Sequence, residues 1–356
     1  MMMIDNTKNA LFALIRAGLW NSGNLDLLID ESTDWQKVYQ LASEQKVIGF
    51  VLAGLEYSKV RPTQELLLQW IGEVQMIEQQ NKSMNQFIEK LVENMRKADI
   101  YTLLVKGQGL AQCYEKPLWR SCGDVDLFLS NDNYNKAKEF LLSLSKDNKP
   151  ERQYSKELAL YIESWLVELH GTLRTGLSTK IDTIIDKVQR EVFYGGNVRS
   201  WLCGKCRVFL PGVNDDIFFV FTHFIKHYYK EEGANLRQIC DWCRLLWTYR
   251  EDVDTDLLKK RLRKAGLMIE WSAFAALAVD YLGMPSEAMP LYHKSKRWSR
   301  KADRIVSSVL NGMPSNRFHA IISMMKIFPI NTIRLLPGIL WDVNMLKVRE
   351  RLGWSS

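Results

Sequence analysis

Two aspartates separated by one residue sit inside an otherwise apolar run, Gly123-Asp124-Val125-Asp126-Leu127-Phe128-Leu129. Side chains alternate along a strand, so Asp124 and Asp126 must share one face while Val125 and Leu127 occupy the other. Like charges side by side on a half-buried face cost several kcal/mol unless a proton or cation compensates, and the pattern therefore marks an ion site. Mg²⁺ is the expected occupant, because it prefers carboxylate and water oxygens and commonly bridges protein acids to nucleotide phosphates.

The residues before this run suit the same chemistry. An apolar strand is expected over residues 101–105, followed by the turn Lys106-Gly107-Gln108-Gly109, a short helix and then Arg120. Glycine lets backbone approach phosphate oxygens, a helix start offers unpaired N–H groups, and Lys106 and Arg120 carry charge to set against a triphosphate. Metal-assisted phosphoryl chemistry needs cations to neutralise charge and an attacking hydroxyl held in line. A third acid should come from a neighbouring strand: Glu168, in Trp165-Leu166-Val167-Glu168-Leu169-His170, lies within an apolar run and shares its face with His170.

Around this unit the periodicity is helical. Helices are expected over residues 6–20, 34–55 and 63–98, the second capped by Ser32, Thr33 or Asp34 and the third opened by Pro62. After the acid pair come a helix over 133–144, strands over 158–162 and 165–169, and a mostly helical remainder from 181 onward. That remainder is interrupted by a hairpin over 198–210 and broken at Pro285, Pro290, Pro314, Pro329 and Pro337. The fold class is α+β, a small mixed sheet flanked by helical regions, divided as residues 1–98, 99–175 and 176–356.

The run Leu104-Val105-Lys106-Gly107, then Arg120, then Gly123-Asp124-Val125-Asp126-Leu127, then Val167-Glu168-Leu169-His170 resembles an uncharacterised bacterial nucleotidyltransferase family of the polymerase-β-like superfamily. Asp34-Trp35 ahead of it, and His223, Leu236, Arg237 and Asp241 behind it, extend the resemblance over most of the chain. It implies a nucleotidyltransferase core between N-terminal and C-terminal helical domains. It also implies an NTP donor such as ATP, and Mg²⁺ or Mn²⁺ held by the catalytic acids Asp124, Asp126 and Glu168. The nucleotide would lie against Lys106, Gly107, Gln108, Arg120 and His170. Two departures stand out: Gln108 follows Gly107 where the superfamily usually has Ser or Gly, and the gap to the acids is longer. The acceptor is unidentified; toxin-like transfer to tRNA or protein, and a degenerate binding protein without turnover, are the alternatives.

Other features compete for function. Cys203-Gly-Lys-Cys206 and Cys240-Asp-Trp-Cys243 match zinc-knuckle spacing, but the second pair falls inside an expected helix, and cysteine is also a common small core residue. His223 and His227 share a helix face, as packing residues or as contacts to nucleotide or acceptor; Arg237 and Asp241 are spaced for an intrahelical ion pair. The net charge of +7 is concentrated late, in His293-Lys294-Ser295-Lys296-Arg297-Trp298-Ser299-Arg300-Lys301, either a solvated face or a patch for RNA or another polyanion. No apolar stretch is long enough to span a membrane, and the first residues lack the pattern of a secretory signal, so a cytoplasmic location is expected.

Overall fold

The computed structural model describes residues 6–21, 29–152, 156–230, 233–312, 314 and 316–351, with side chains as far as residue 340. The start of the chain, where no secretory signal was expected, lies outside them. Helix α1 (Asn6–Trp20) is followed by α2 (Trp35–Glu44), α3 (Ile48–Leu55) and the 34-residue α4 (Gln64–Lys97). Asp34 caps α2 through the Lys37 amide and Thr63 caps α4 through that of Leu66, as short polar side chains do at helix starts. The single helix expected over 34–55 is broken at Gln45 and Lys46, where Lys46 has φ +57°. The Gln45 side chain accepts from the Leu236 amide and donates to the Val309 carbonyl, a tertiary demand that outweighs local periodicity.

The chain then runs through β1 (Leu103–Val105), α5 (Gly107–Ala111), β2 (Asp124–Phe128), α6 (Asn131–Leu144), β3 (Asp147–Asn148), β4 (Glu157–Ile162) and β5 (Trp165–His170). Next come α7 (Thr179–Gly195), β6 (Val198–Cys203) and β7 (Cys206–Pro211). Among the described residues these strands form one mixed seven-stranded sheet in the order β3-β4-β5-β2-β1-β7-β6. The sheet thus extends beyond residue 175: the hairpin β6–β7 joins it by parallel pairing of β7 with β1. One sheet face, with Val125, Leu127, Val167 and Leu169, packs on Met84, Ile88, Leu91 and Val92 of α4 and Tyr134, Ala137 and Leu141 of α6.

The helices α8 (Val213–Lys230), α9 (Leu236–Thr248), α10 (Thr255–Ala265), α11 (Met268–Asp280), α12 (Lys296–Asn311), α13 (Arg317–Ile327) and α14 (Pro329–Arg351) follow. Their apolar faces share one core with α1 and α3, in which Leu11, Leu14 and Val51 join Phe221, Trp242 and Trp271. Hydrogen bonds reinforce the join: Arg16 Nε donates to the Tyr281 carbonyl at 2.7 Å and Trp20 Nε1 to that of Leu282 at 2.6 Å. Two prolines expected as breaks behave otherwise. Pro329 opens α14, where its missing N–H costs nothing, and Pro337 lies inside it with its ring exposed, so the carbonyl deprived of a donor faces the solvent side.

Candidate active site

Strand register assembles the site. β2 and β5 are parallel, with Asp126 opposite Glu168 and Phe128 opposite His170, so the acid pair of one strand and Glu168 and His170 of the other share the face turned away from α4. β1 runs antiparallel to β2 with Val105 opposite Asp126, which brings Lys106, the next residue, over the same carboxylate. Lys106 Nζ and His170 Nε2 each lie 2.7 Å from Asp126 Oδ1, and His170 Nε2 is 3.6 Å from Glu168 Oε2. Among the described residues, Asp126, Glu168 and His170 offer ligand atoms that all fall within 4.8 Å of one another.

Asp126 is 2% exposed. Burial alone would raise its pKa, but Lys106 and His170 outweigh that and hold the carboxyl well below the usual range. Burial likewise works against the Lys106 ammonium and is overcome by Asp126 and Glu168, so its pKa is raised and it stays charged. The other two acids are in the opposite position. Repulsion from Asp126, then burial, raises the Asp124 pKa; burial, then Asp126, raises that of Glu168. Lys106 pairs with Asp126, and Arg237 and Arg120 act on Asp124 from further away, yet Asp124 and Glu168 both keep raised pKa values, so this wall is short of positive charge and its hard oxygen donors suit Mg²⁺ or Mn²⁺.

The phosphate-side elements are arranged less simply. Lys106 has φ +57° and ψ −143°, a conformation that L-residues rarely hold, and Gly107 follows at φ +38°. α5 is five residues long, too short to build much of a helix dipole. Gln108 turns away from the cleft: it is 1% exposed and donates to Asn81 Oδ1 at 2.6 Å, while Asn81 donates to the Leu118 and Arg120 carbonyls. Arg120 lines the cleft but its guanidinium is engaged by Asp241, with Nε to Oδ1 and Nη2 to Oδ2 both at 2.7 Å, and Tyr114 Oη also donates to Asp241. Arg237 makes the intrahelical ion pair with Asp241 that its spacing predicts, at a longer 3.9 Å. The Asn81–Gln108 bracket and the Arg120–Asp241 fork span tens of residues or more, and nothing in local spacing announces them.

The sheet face with the acids opens into a cleft of about 1160 Å³, closed on the far side by α8, α9 and the start of α13. His223 and His227 of α8 line it with their Nε2 atoms 3.0 Å apart, so one ring donates and the other accepts. Burial, then Lys106 and His227, push the His223 pKa well below its ordinary value, and the ring is neutral. The cysteines fall elsewhere. Cys203 and Cys206 are opposite each other at the β6–β7 turn, Cys240 and Cys243 lie in the core along α9, and all four are buried free thiols. The late basic run leads into α12, where Arg297 stacks over Trp298, apart from the cleft. No helix among the described residues is long and apolar enough to cross a membrane.

A family model described as an uncharacterised nucleotidyltransferase matches residues 31–283, a span that holds every acid of the site. No curated protein and no solved structure matches the chain.

Proposed function

The chain belongs to this uncharacterised nucleotidyltransferase family, and from that premise we propose that it transfers a nucleoside monophosphate from an NTP to an acceptor hydroxyl with the help of Mg²⁺ or Mn²⁺. The observation that carries this reading is the facing of Asp126 and Glu168 across parallel strands, with His170 in the same cluster. Asp124, Asp126 and Glu168 would hold the cation. When bound, it would neutralise charge on the triphosphate and orient the attacking and departing oxygens.

The protein's own groups have separable tasks. Lys106 keeps its ammonium charged at the wall where the triphosphate would lie. His170, held by Asp126, fixes the direction of that carboxylate. Glu168 combines partial exposure with a raised pKa, and is the acid suited to take a proton from the acceptor hydroxyl. Gly107 brings the backbone close to Asp124, and a methyl group there would meet Cys122 Sγ at 3.3 Å.

The test is consumption of labelled NTPs with and without Mg²⁺, alongside thermal stabilisation by NTP. Wild type should show metal-dependent stabilisation and turnover, and Asp126→Asn should lose about a hundredfold or more of the turnover while keeping the wild-type circular dichroism. Equal turnover in the variant would remove the proposal.

A further inference from the structure

The positive charge of the chain gathers in its last helices. From Lys294 to Ser356 the sequence carries twelve Lys and Arg against three acids, Asp303, Asp342 and Glu350, while the net charge of the whole chain is +7. Helix α12 sets part of this excess in a row. Arg297, Arg300, Lys301 and Arg304 recur at i, i+3, i+4 and i+7 and so share one flank, beside the face that buries Ala302, Ile305, Val306 and Val309 in the core.

The acids packed around this flank have other partners. Asp303 accepts from Tyr281 Oη, Asp280 from Ser299 Oγ, and Glu270 is buried against Tyr229 and Asn331. Arg297 stacks over Trp298, Arg304 donates to the Lys326 carbonyl at 2.7 Å, and among the described residues Arg300 has no ion pair. Burial, then Arg297 and Arg304, lower the Lys301 pKa, as expected where like charges are held together.

The same flank runs onto exposed apolar surface. The Lys301 ammonium donates to the Ile327 carbonyl and lies over the Phe328 ring, which puts the cations at the corner where α13 meets α14. There Ile330 and Ile333 are 70% and 59% exposed, on the side of α14 opposite the buried Asn331, Thr332 and Leu335. Single-stranded nucleic acid is held by aromatic platforms, to which isoleucine adds nothing, and Trp298 is already engaged by Arg297 and His293. A bilayer surface takes both parts: cations meet anionic headgroups and aliphatic side chains enter the acyl boundary, two signals that together hold a peripheral protein where one alone is weak.

We propose that the α12 flank and the α13–α14 corner dock on an anionic lipid surface, with the arginines on headgroup phosphates and Ile330 and Ile333 inserted between the lipids. None of these residues lines the cleft, so the docking surface stands whether or not the cleft transfers nucleotides.

The test is sedimentation of the full-length protein with vesicles of phosphatidylcholine alone and with vesicles of equimolar phosphatidylcholine and phosphatidylglycerol. Wild type should partition onto the anionic vesicles about tenfold or more above phosphatidylcholine alone, and added salt should reduce the difference. The double variant Arg297→Gln with Arg300→Gln should lose about tenfold of that partitioning, and so should Ile330→Ser with Ile333→Ser, each keeping the wild-type circular dichroism. The two pairs lie on different helices, so misfolding of one leaves the other to decide. Equal partitioning onto both kinds of vesicle, or wild-type partitioning of a folded isoleucine variant, would overturn the proposal. Tighter binding to a single-stranded RNA oligonucleotide than to the anionic vesicles at equal phosphate, unaffected by the isoleucine changes, would assign the patch to nucleic acid instead.

Discussion

Arg120 and Asp241, 121 residues apart, meet through two parallel hydrogen bonds of 2.7 Å, with both side chains almost fully buried at the base of the cleft. Such a fork joins the loop ahead of β2 to α9, fixing one wall of the cleft against the other. Removing one partner leaves the other charge buried and unpaired. Asp241→Asn and Arg120→Ala should therefore each cost about 3–5 kcal/mol of stability, measured by urea unfolding. A change confined to the KM for nucleotide, with stability intact, would instead make Arg120 a phosphate ligand.

The raised pKa of Glu168, from burial and then Asp126, has a defined sign. Between the ordinary glutamate value and the raised one, the folded chain keeps a proton that the unfolded chain has lost, so stability falls as pH rises through that window. Glu168→Gln abolishes the penalty. In EDTA the variant should melt on the order of a degree or two above wild type near pH 7, with the difference vanishing at about pH 4. Adding Mg²⁺ should stabilise wild type and leave the variant little changed, as followed by scanning fluorimetry.

Lys106 holds a backbone conformation suited to glycine while its ammonium reaches Asp126. The two effects separate by substitution. Lys106→Ala loses the ion pair and keeps the strain, whereas Lys106→Gly loses the pair and relieves it, so the glycine variant should be the more stable of the two by about 1 kcal/mol or more. Both should be impaired in NTP turnover, and equal stability of the two would show that the backbone is relaxed.

Burial, then Glu89, pushes the Cys203 thiol up to about 12, and burial keeps Cys240 protonated as well. Thiolate is the reactive form, so iodoacetamide near neutral pH should label these residues at least about a hundredfold more slowly than a free thiol until denaturant is added, read by peptide mass spectrometry. Fast labelling of Cys240 in the native protein would contradict its place in the core.

The acids were legible because strand alternation is a local rule, and the register of β2 with β5 places Asp126 and Glu168 face to face as period-two reasoning expects. Helix α1 was equally legible from its apolar spacing. Arg120 was not, since its place on Asp241 is set by packing of α9 against the loop before β2; local spacing pointed to Arg237, which does pair with Asp241, but at 3.9 Å against 2.7 Å for Arg120. Gln108 looked like part of a phosphate turn, yet it faces Asn81 because α5 presents its first residues to α4. The hairpin β6–β7 was visible as a hairpin, but its membership of the sheet depends on a crossover through α7 that no local pattern encodes.

The junction of Arg16 with Tyr281 closes a loop of 265 residues. The apolar side of α1 packs mainly on α3 and α2, which a ribosome releases directly after it, but its bonds to the Tyr281 and Leu282 carbonyls form only after α11 has emerged, so the shared core is completed late in synthesis. Excising the sheet as a minimal fragment would leave Leu103, Val105 and Phe128, which share that core, without their helical neighbours, and a working truncation has to keep the helices on both sides of it.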